Sequence, residues 1–141
     1  MYDHILIPTD GSTETEQAVS HGLGLARTYD ATVHALSVID ESEQSAVPAA
    51  DAREQLRSAA ETVGRRATAE IAETAAELDL DVHRELRQGT PSEEILDYVE
   101  NRGIDLVAMG THGRAGVGPN LGSTTLRVIR NVDVPALTVR F

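Results

Sequence analysis

Apolar positions in this chain fall into short runs, separated by longer stretches in which they recur at helical spacing. His4 to Pro8 is the first run and has the character of a buried strand. Ser12 is placed to cap a helix whose apolar face carries Ala18, Gly22, Leu25, Ala26 and Tyr29. Ala31 to Ile39 is a second strand, rich in Val and Leu. Asp40 to Ala50 is polar and acidic, contains Pro48, and is expected to form a mobile loop. Asp51 to Leu78 predicts a long helix with Leu56, Ala60, Val63, Ala67, Ile71 and Leu78 on one stripe, weakened or bent at Gly64. Val82 to Arg87 alternates apolar and polar residues, as a half-exposed edge strand does. Thr90, Pro91 and Glu93 then give a helix start with a cap, a first-turn proline and a capping-box acid. That helix is expected to end near Gly103. Ile104 to Met109, a helix over 123–130 and a last strand over Val134 to Arg140 complete the pattern.

The order is βαβαβαβαβ. Such alternation predicts an α/β fold, a doubly wound five-stranded parallel sheet with helices on both faces. No internal repeat or linker divides the 141 residues, so one domain over 1–141 is expected. In sheets of this kind ligands bind at the carboxyl ends of strands, where strand order reverses. Two segments sit there. One is Pro8-Thr-Asp-Gly-Ser12. The other is the glycine-rich stretch after the fourth strand, with Gly110, Gly113, Gly116, Gly118 and Gly122 followed by Ser123, Thr124 and Thr125. Glycine permits close backbone approach, and a helix start offers free N–H groups with a positive dipole end, so this stretch is a candidate phosphate cradle. A strand order of 3-2-1-4-5 makes the two segments neighbours.

Composition narrows the options. With no cysteine, disulfides, thiolate metal sites and cysteine nucleophiles are excluded. No apolar run is long enough to span a membrane and no signal-type start is present, so a cytoplasmic protein is expected. A net charge of -11 argues against a nucleic-acid surface. All 12 basic residues are Arg, so a Walker-type loop, which needs Lys, is absent. His4, His21, His34 and His83 show no metal-site spacing. There is no nucleophile elbow, no carboxylate pair with a defined partner, and no base beside Ser123. Little or no catalysis is expected, and His112 is taken as structural.

Residues Ile5-Leu-Ile-Pro-Thr-Asp-Gly-Ser12, Ser37 to Asp40, Gln88 to Pro91, and Met109 to Gly116 followed by Gly122-Ser123 together resemble the universal stress protein family in its single-domain form. The resemblance spans nearly the whole chain and implies a Rossmann-like sheet. ATP-binding members carry Gly, two residues, Gly, nine residues, then Gly-Ser/Thr; here the second gap, Arg114 to Leu121, is eight residues. The resemblance implies that Pro8, Thr9 and Asp10 line the adenosine side and that Val38 meets adenine through its backbone. It implies that Met109, Gly110, Gly113, Arg114, Gly122, Ser123 and Thr124 surround the phosphates, with Mg²⁺ carried on them. Asp10 equally suits a helix-start role, and Arg114 a surface ion pair. The implied protein is an ATP-binding stress-response module acting as a dimeric switch, joined through Val134 to Arg140. The alternatives are a protein–protein module of the same fold that binds no nucleotide, or a slow ATP hydrolase.

The acidity and the missing lysine are expected to reflect a high-salt habitat, where ions screen self-repulsion between carboxylates. Circular dichroism recorded as salt is dialysed from molar to low concentration is expected to show loss of helix. A fully retained spectrum would make this an ordinary acidic protein.

Overall fold

The computed structural model describes residues 1–112 and 121–140. Five strands form one all-parallel sheet: β1 (His4–Pro8), β2 (Thr32–Asp40), β3 (Val82–Gly89), β4 (Leu106–Gly110) and β5 (Ala136–Val139), in the order β3-β2-β1-β4-β5. The helices are α1 (Glu16–Tyr29), α2 (Glu41–Ser45), α3 (Ala50–Glu77), α4 (Pro91–Asn101) and α5 (Ser123–Asn131). Among the described residues, no helix is long and apolar enough to cross a membrane.

The alternation of side chains along a strand divides the core in two. Ile5 and Ile7 of β1, Val33 and Ala35 of β2, and Leu106 of β4 face α1 and α3, where they meet Leu23, Ala26, Ile71 and Ala75. Leu6, Leu36, Val107 and Met109 face the other way and pack with Ile95, Tyr98 and Val99 of α4 and Val128 of α5. The unbroken apolar runs of β1 and β4 are thus explained: both of their faces are buried. The registers Pro8↔Leu36 and Leu6↔Val107 fix β1 between its two neighbours.

Several local expectations change. Ser12 does not cap α1. A 3-10 turn, Thr13–Thr15, precedes it, and the Ser12 N–H and hydroxyl both donate to Asp10 Oδ1. The segment after β2 is not all loop, because Asp40 accepts a hydrogen bond from Ser42 N–H at 2.9 Å and starts α2. Thr90 occupies the cap position of α4 and Pro91 its first turn, but the Thr90 side chain makes no capping bond. β4 begins at Leu106 rather than Ile104, and β5 is shorter than Val134 to Arg140.

Gly64 lies inside α3, which is one helix from Ala50 to Glu77. A Cβ there would stand 2.8 Å from Ser37 Oγ and 3.2 Å from Ser37 Cβ, so the glycine allows close helix–sheet contact. Along the α3 stripe, Ala67 and Ile71 are buried while Leu56 and Val63 are 37% and 36% exposed. Val63 faces the cleft described below. The opposite side of α3 carries an ion-pair ladder, Glu54–Arg57–Glu61–Arg65, which accounts for Arg65.

Two glycines of α1 provide a matched test. A Cβ on Gly22 would lie 2.8 Å from Ile7 Cδ1 and 3.2 Å from Ala108 Cβ, whereas one on Gly24 meets nothing within 4 Å. In urea denaturation Gly22→Val is expected to cost about 1–3 kcal/mol through overpacking. Gly24→Ala is expected to gain about 1 kcal/mol from helix propensity alone.

Candidate functional site

The strand order reverses at β1: β2 lies on one side of it and β4 on the other. α1, which follows β1, packs on one face of the sheet and α5, which follows β4, on the other, leaving a gap above the carboxyl ends of the two strands. A cleft of about 480 Å³ opens there. Its floor is Pro8, Thr9 and Asp10 after β1, with Met109 and Gly110 at the end of β4. One wall is the end of β2, Ser37 to Asp40, with Glu43 of α2 and Val63 and Gly64 of α3 beyond it. The other is Pro91 and Ile95 of α4 with Gly122, Ser123 and Thr124 at the start of α5.

The turn after β1 is held by its own polar groups. Thr9 N–H donates to Leu36 O at 2.9 Å, and Gly11 N–H donates to Thr9 Oγ1 at 3.1 Å. Asp10 Oδ1 accepts from Ser12 N–H at 2.9 Å, an Asx-type turn. Gly11 takes φ +78°, a left-handed conformation that suits glycine, and a Cβ there would also stand 2.8 Å from Val63 Cγ1. Asp10 is thus fixed at the floor by the turn it organises.

β2 runs further than β1. Their pairing ends at Pro8↔Leu36, while β2 continues to Asp40. The Leu36 carbonyl points toward β1, since it accepts from Thr9. Backbone groups alternate between the two edges of a strand, so the N–H and C=O of Val38 point the same way, where β1 has already turned off. Val38 lines the cleft. Its peptide groups offer one donor and one acceptor side by side.

The start of α5 is stapled to the end of β4. Thr125 Oγ1 donates to Gly110 O at 2.9 Å, and Gly122 N–H donates to Thr111 O at 2.6 Å. A Cβ on Gly110 would stand 3.1 Å from Glu14 O, so β4 ends tight against the turn before α1. Gly122 is the extended residue ahead of α5, and Ser123 opens the helix. The first amides of a helix have no intrahelical acceptor and sit at the positive end of its dipole. Ser123 and Thr124 bring those amides, with two hydroxyls, to the cleft.

Nine of the residues singled out by sequence line this one cleft: Pro8, Thr9, Asp10, Val38, Met109, Gly110, Gly122, Ser123 and Thr124. Gly113 and Arg114 lie outside the described residues, as do Gly116 and Gly118. Sequence reasoning missed Glu43, Val63, Gly64, Pro91 and Ile95. Gly64, a glycine inside an otherwise regular helix, was the one available signal of a close approach. His112, taken as structural, also lines the cleft, with Nδ1 3.2 Å from Thr111 Oγ1. A smaller cleft of about 210 Å³ lies between α1 and α3 and shares Thr9 and Thr15 with the larger one. No group of three or more His, Asp or Glu among the described residues is arranged to hold a metal ion.

A profile described as the universal stress protein family matches residues 1–140. Universal stress protein MJ0531 of Methanocaldococcus jannaschii is 35% identical over 141 residues, covering 99% of this chain and 83% of that one. The solved structure of MJ0577, from the same organism, superposes with a TM-score of 0.87 at 30% identity, covering 100% of this chain and 97% of that one. An Arabidopsis thaliana universal stress protein family member, At3g01520, solved with AMP bound, shares the fold with a TM-score of 0.71 at 15% identity, covering 97% of this chain and 90% of its own.

The Thr125 staple carries a definite cost. Thr125→Val removes a buried hydroxyl and strands the Gly110 carbonyl, so it is expected to lower stability by about 1–3 kcal/mol. Thr125→Ser keeps the donor and is expected to recover most of that in chemical denaturation. A loss in Thr125→Ser with none in Thr125→Val would mean that the methyl group, not the hydrogen bond, holds α5 in place.

Proposed function

This chain belongs to the universal stress protein family, and from the cleft at the strand ends we propose that it is an adenine-nucleotide-binding regulatory module whose ligand is ATP. The observation that carries the proposal is convergence. The β1 turn, the unpaired edge of β2 and the start of α5 come from distant parts of the chain and meet in one cleft of about 480 Å³. The AMP carried by the Arabidopsis relative supports the ligand class.

In this reading Val38 recognises the adenine edge through its N–H and C=O, and Pro8, Thr9 and Asp10 face the adenosine. Met109 and Gly110 let the phosphates approach the end of β4. The Ser123 and Thr124 amides and hydroxyls donate to phosphate oxygens, with Gly122 leaving room for them. Gly113 and Arg114, which precede Gly122 in the sequence, are proposed to complete the phosphate site. Mg²⁺ would ride on the phosphates and water, needing few protein ligands. Binding stabilises one arrangement of the cleft walls, among them α2 with Glu43, and so acts as a switch rather than a catalyst. The edge strand β5 is proposed to join two copies into a homodimer, since an exposed parallel edge invites pairing.

Calorimetric titration of nucleotide-free protein with ATP, in high salt with and without Mg²⁺, tests this reading. Saturable binding is expected. Gly122→Leu is expected to weaken it at least about tenfold, the effect of losing one charge-assisted hydrogen bond. Light scattering on the same sample is expected to give twice the chain mass. No binding by folded protein would favour the protein–protein alternative, consistent with the eight-residue gap before Gly122. Turnover above background that is lost in Ser123→Ala or Asp10→Asn would instead make it a hydrolase.

A further inference from the structure

Three histidines with no common spacing in the sequence meet in the fold. His4 on β1, His34 on β2 and His83 on β3 lie near the amino-terminal ends of neighbouring strands, on the sheet face that α4 covers. His34 is buried, His4 half-buried and His83 exposed. His4 Nδ1 is 3.0 Å from His34 Nε2, and His34 Nδ1 is 2.7 Å from the Tyr98 hydroxyl. The His34 and His83 rings are 5.1 Å apart.

Tyr98, on α4, is fully buried, and the guanidinium groups of Arg87 and Arg102 each stand 5.1 Å over its ring. Both arginines pair with Glu85, and Arg87 also pairs with Asp97 and Glu94 of α4. The Asp105 carboxylate accepts from the backbone N–H of His4. These are the charged groups around the cluster. The remaining neighbours on this face, among them Leu6, Val99 and Val107, are apolar.

A neutral imidazole has one donor and one acceptor nitrogen. Both nitrogens of His34 are engaged, so the chain from His4 to Tyr98 holds together with a single polarity. When the Tyr98 hydroxyl donates to His34 Nδ1, His34 Nε2–H donates to His4 Nδ1. A second proton on His34 makes both of its nitrogens donors. Tyr98 must then accept where it had donated, which leaves its buried hydroxyl hydrogen without the acceptor that His34 supplied, and His4 must stay unprotonated at Nδ1. The new charge is also buried beside two imidazoles and Arg102.

We propose that the His4–His34–Tyr98 chain is an acid-sensitive latch that fastens α4 to the sheet and lets it loosen when the cluster takes up protons. The tyrosine and two cleft-lining residues, Pro91 and Ile95, are on the same helix. Loosening α4 therefore moves a wall of the cleft. That last consequence rests on the nucleotide reading; the latch itself does not.

The direction with pH follows from His34. Burial, then His83, His4 and Arg102, lower its pKa from 6.5 to about 4. A state in which α4 has lifted regains an ordinary imidazole and binds the proton first. The latch is thus fully closed above the ordinary value and is lost as pH falls from 6.5 toward 4. In that window one proton raises the opening constant about tenfold per pH unit.

The test is hydrogen exchange of the α4 amides in the full chain without nucleotide, at constant ionic strength, together with NMR titration of the imidazoles. Between about pH 6.5 and pH 4.5 protection of α4 is expected to fall about fortyfold beyond the intrinsic rate change. In His34→Gln, which keeps every surrounding carboxylate, this fall is expected to vanish. Should that variant not fold, His83→Gln serves: it removes an exposed, repelling neighbour and is expected to move the His34 titration upward in pH. Identical pH profiles for wild type and His34→Gln would overturn the latch. So would a His34 that titrates in the ordinary imidazole range while α4 stays protected. ATP titration at the two pH values then tests the link to the cleft separately.

Discussion

The pairing of β1 with β2 on one edge and β4 on the other sets everything else in this molecule. β1 is five residues long, and its four residues Ile5 to Pro8 are buried. With both edges hydrogen-bonded and both faces covered, it has no freedom of register: a slip of one residue would exchange Leu6 with Ile5 and Ile7 between two differently shaped cores. The same constraint creates the cleft. The chain leaves β1 toward α1 on one face, whereas β4 leads on toward α5 on the other, and the gap above the strand ends is the space between those departures. The cleft is therefore a consequence of topology before any side chain refines it.

Refinement comes from close approaches. At Gly22, Gly64 and Gly110 an added Cβ would come within 2.8–3.1 Å of a neighbouring atom. These positions set how near α1, α3 and the turn before α1 lie to the sheet. At the cleft, polar groups bridge elements: Thr9 to β2, Thr125 to β4, and Asp10 to its own turn. The first amides of α5 are left facing outward, which is the property a phosphate site requires.

The strand–helix alternation was legible in the sequence because it rests on local periodicity. The apolar runs at 4–8 and 104–109 could hardly be anything but buried strands, and the glycine-rich stretch announced a close-approach site. The convergence of Pro8 to Asp10, Val38 and Ser123 was legible only once a strand order was assumed. Features that depend on register were not legible. Nothing local to His4, His34 or His83 indicates that Leu6↔His34 and His34↔His83 pairing would bring three rings together. Nor does Asp40, read as part of a loop, announce that it caps a helix turn, since an acid before Ser42 suits either outcome.

The two ends of the sheet handle polarity in opposite ways, and α4 spans both. At the carboxyl ends, donors and acceptors are presented to an open cleft. At the amino ends, His34 and Tyr98 are buried and satisfy one another through a chain with no spare acceptor on the imidazole. A buried polar pair is tolerated only while its bonding is complete, and its loss costs more than its presence contributes. Apolar residues at these two positions would have held α4 to the sheet without any dependence on protons. Placing an imidazole there instead, beside two others and against a tyrosine ring that lies beneath two arginines, makes the docking of that helix conditional on charge. The helix thus has its apolar hold on the sheet through Ile95 and Val99, and a second, proton-dependent hold through Tyr98. Because Ile95 also belongs to the cleft wall, the two ends of the sheet are joined through one rigid element only a few turns long.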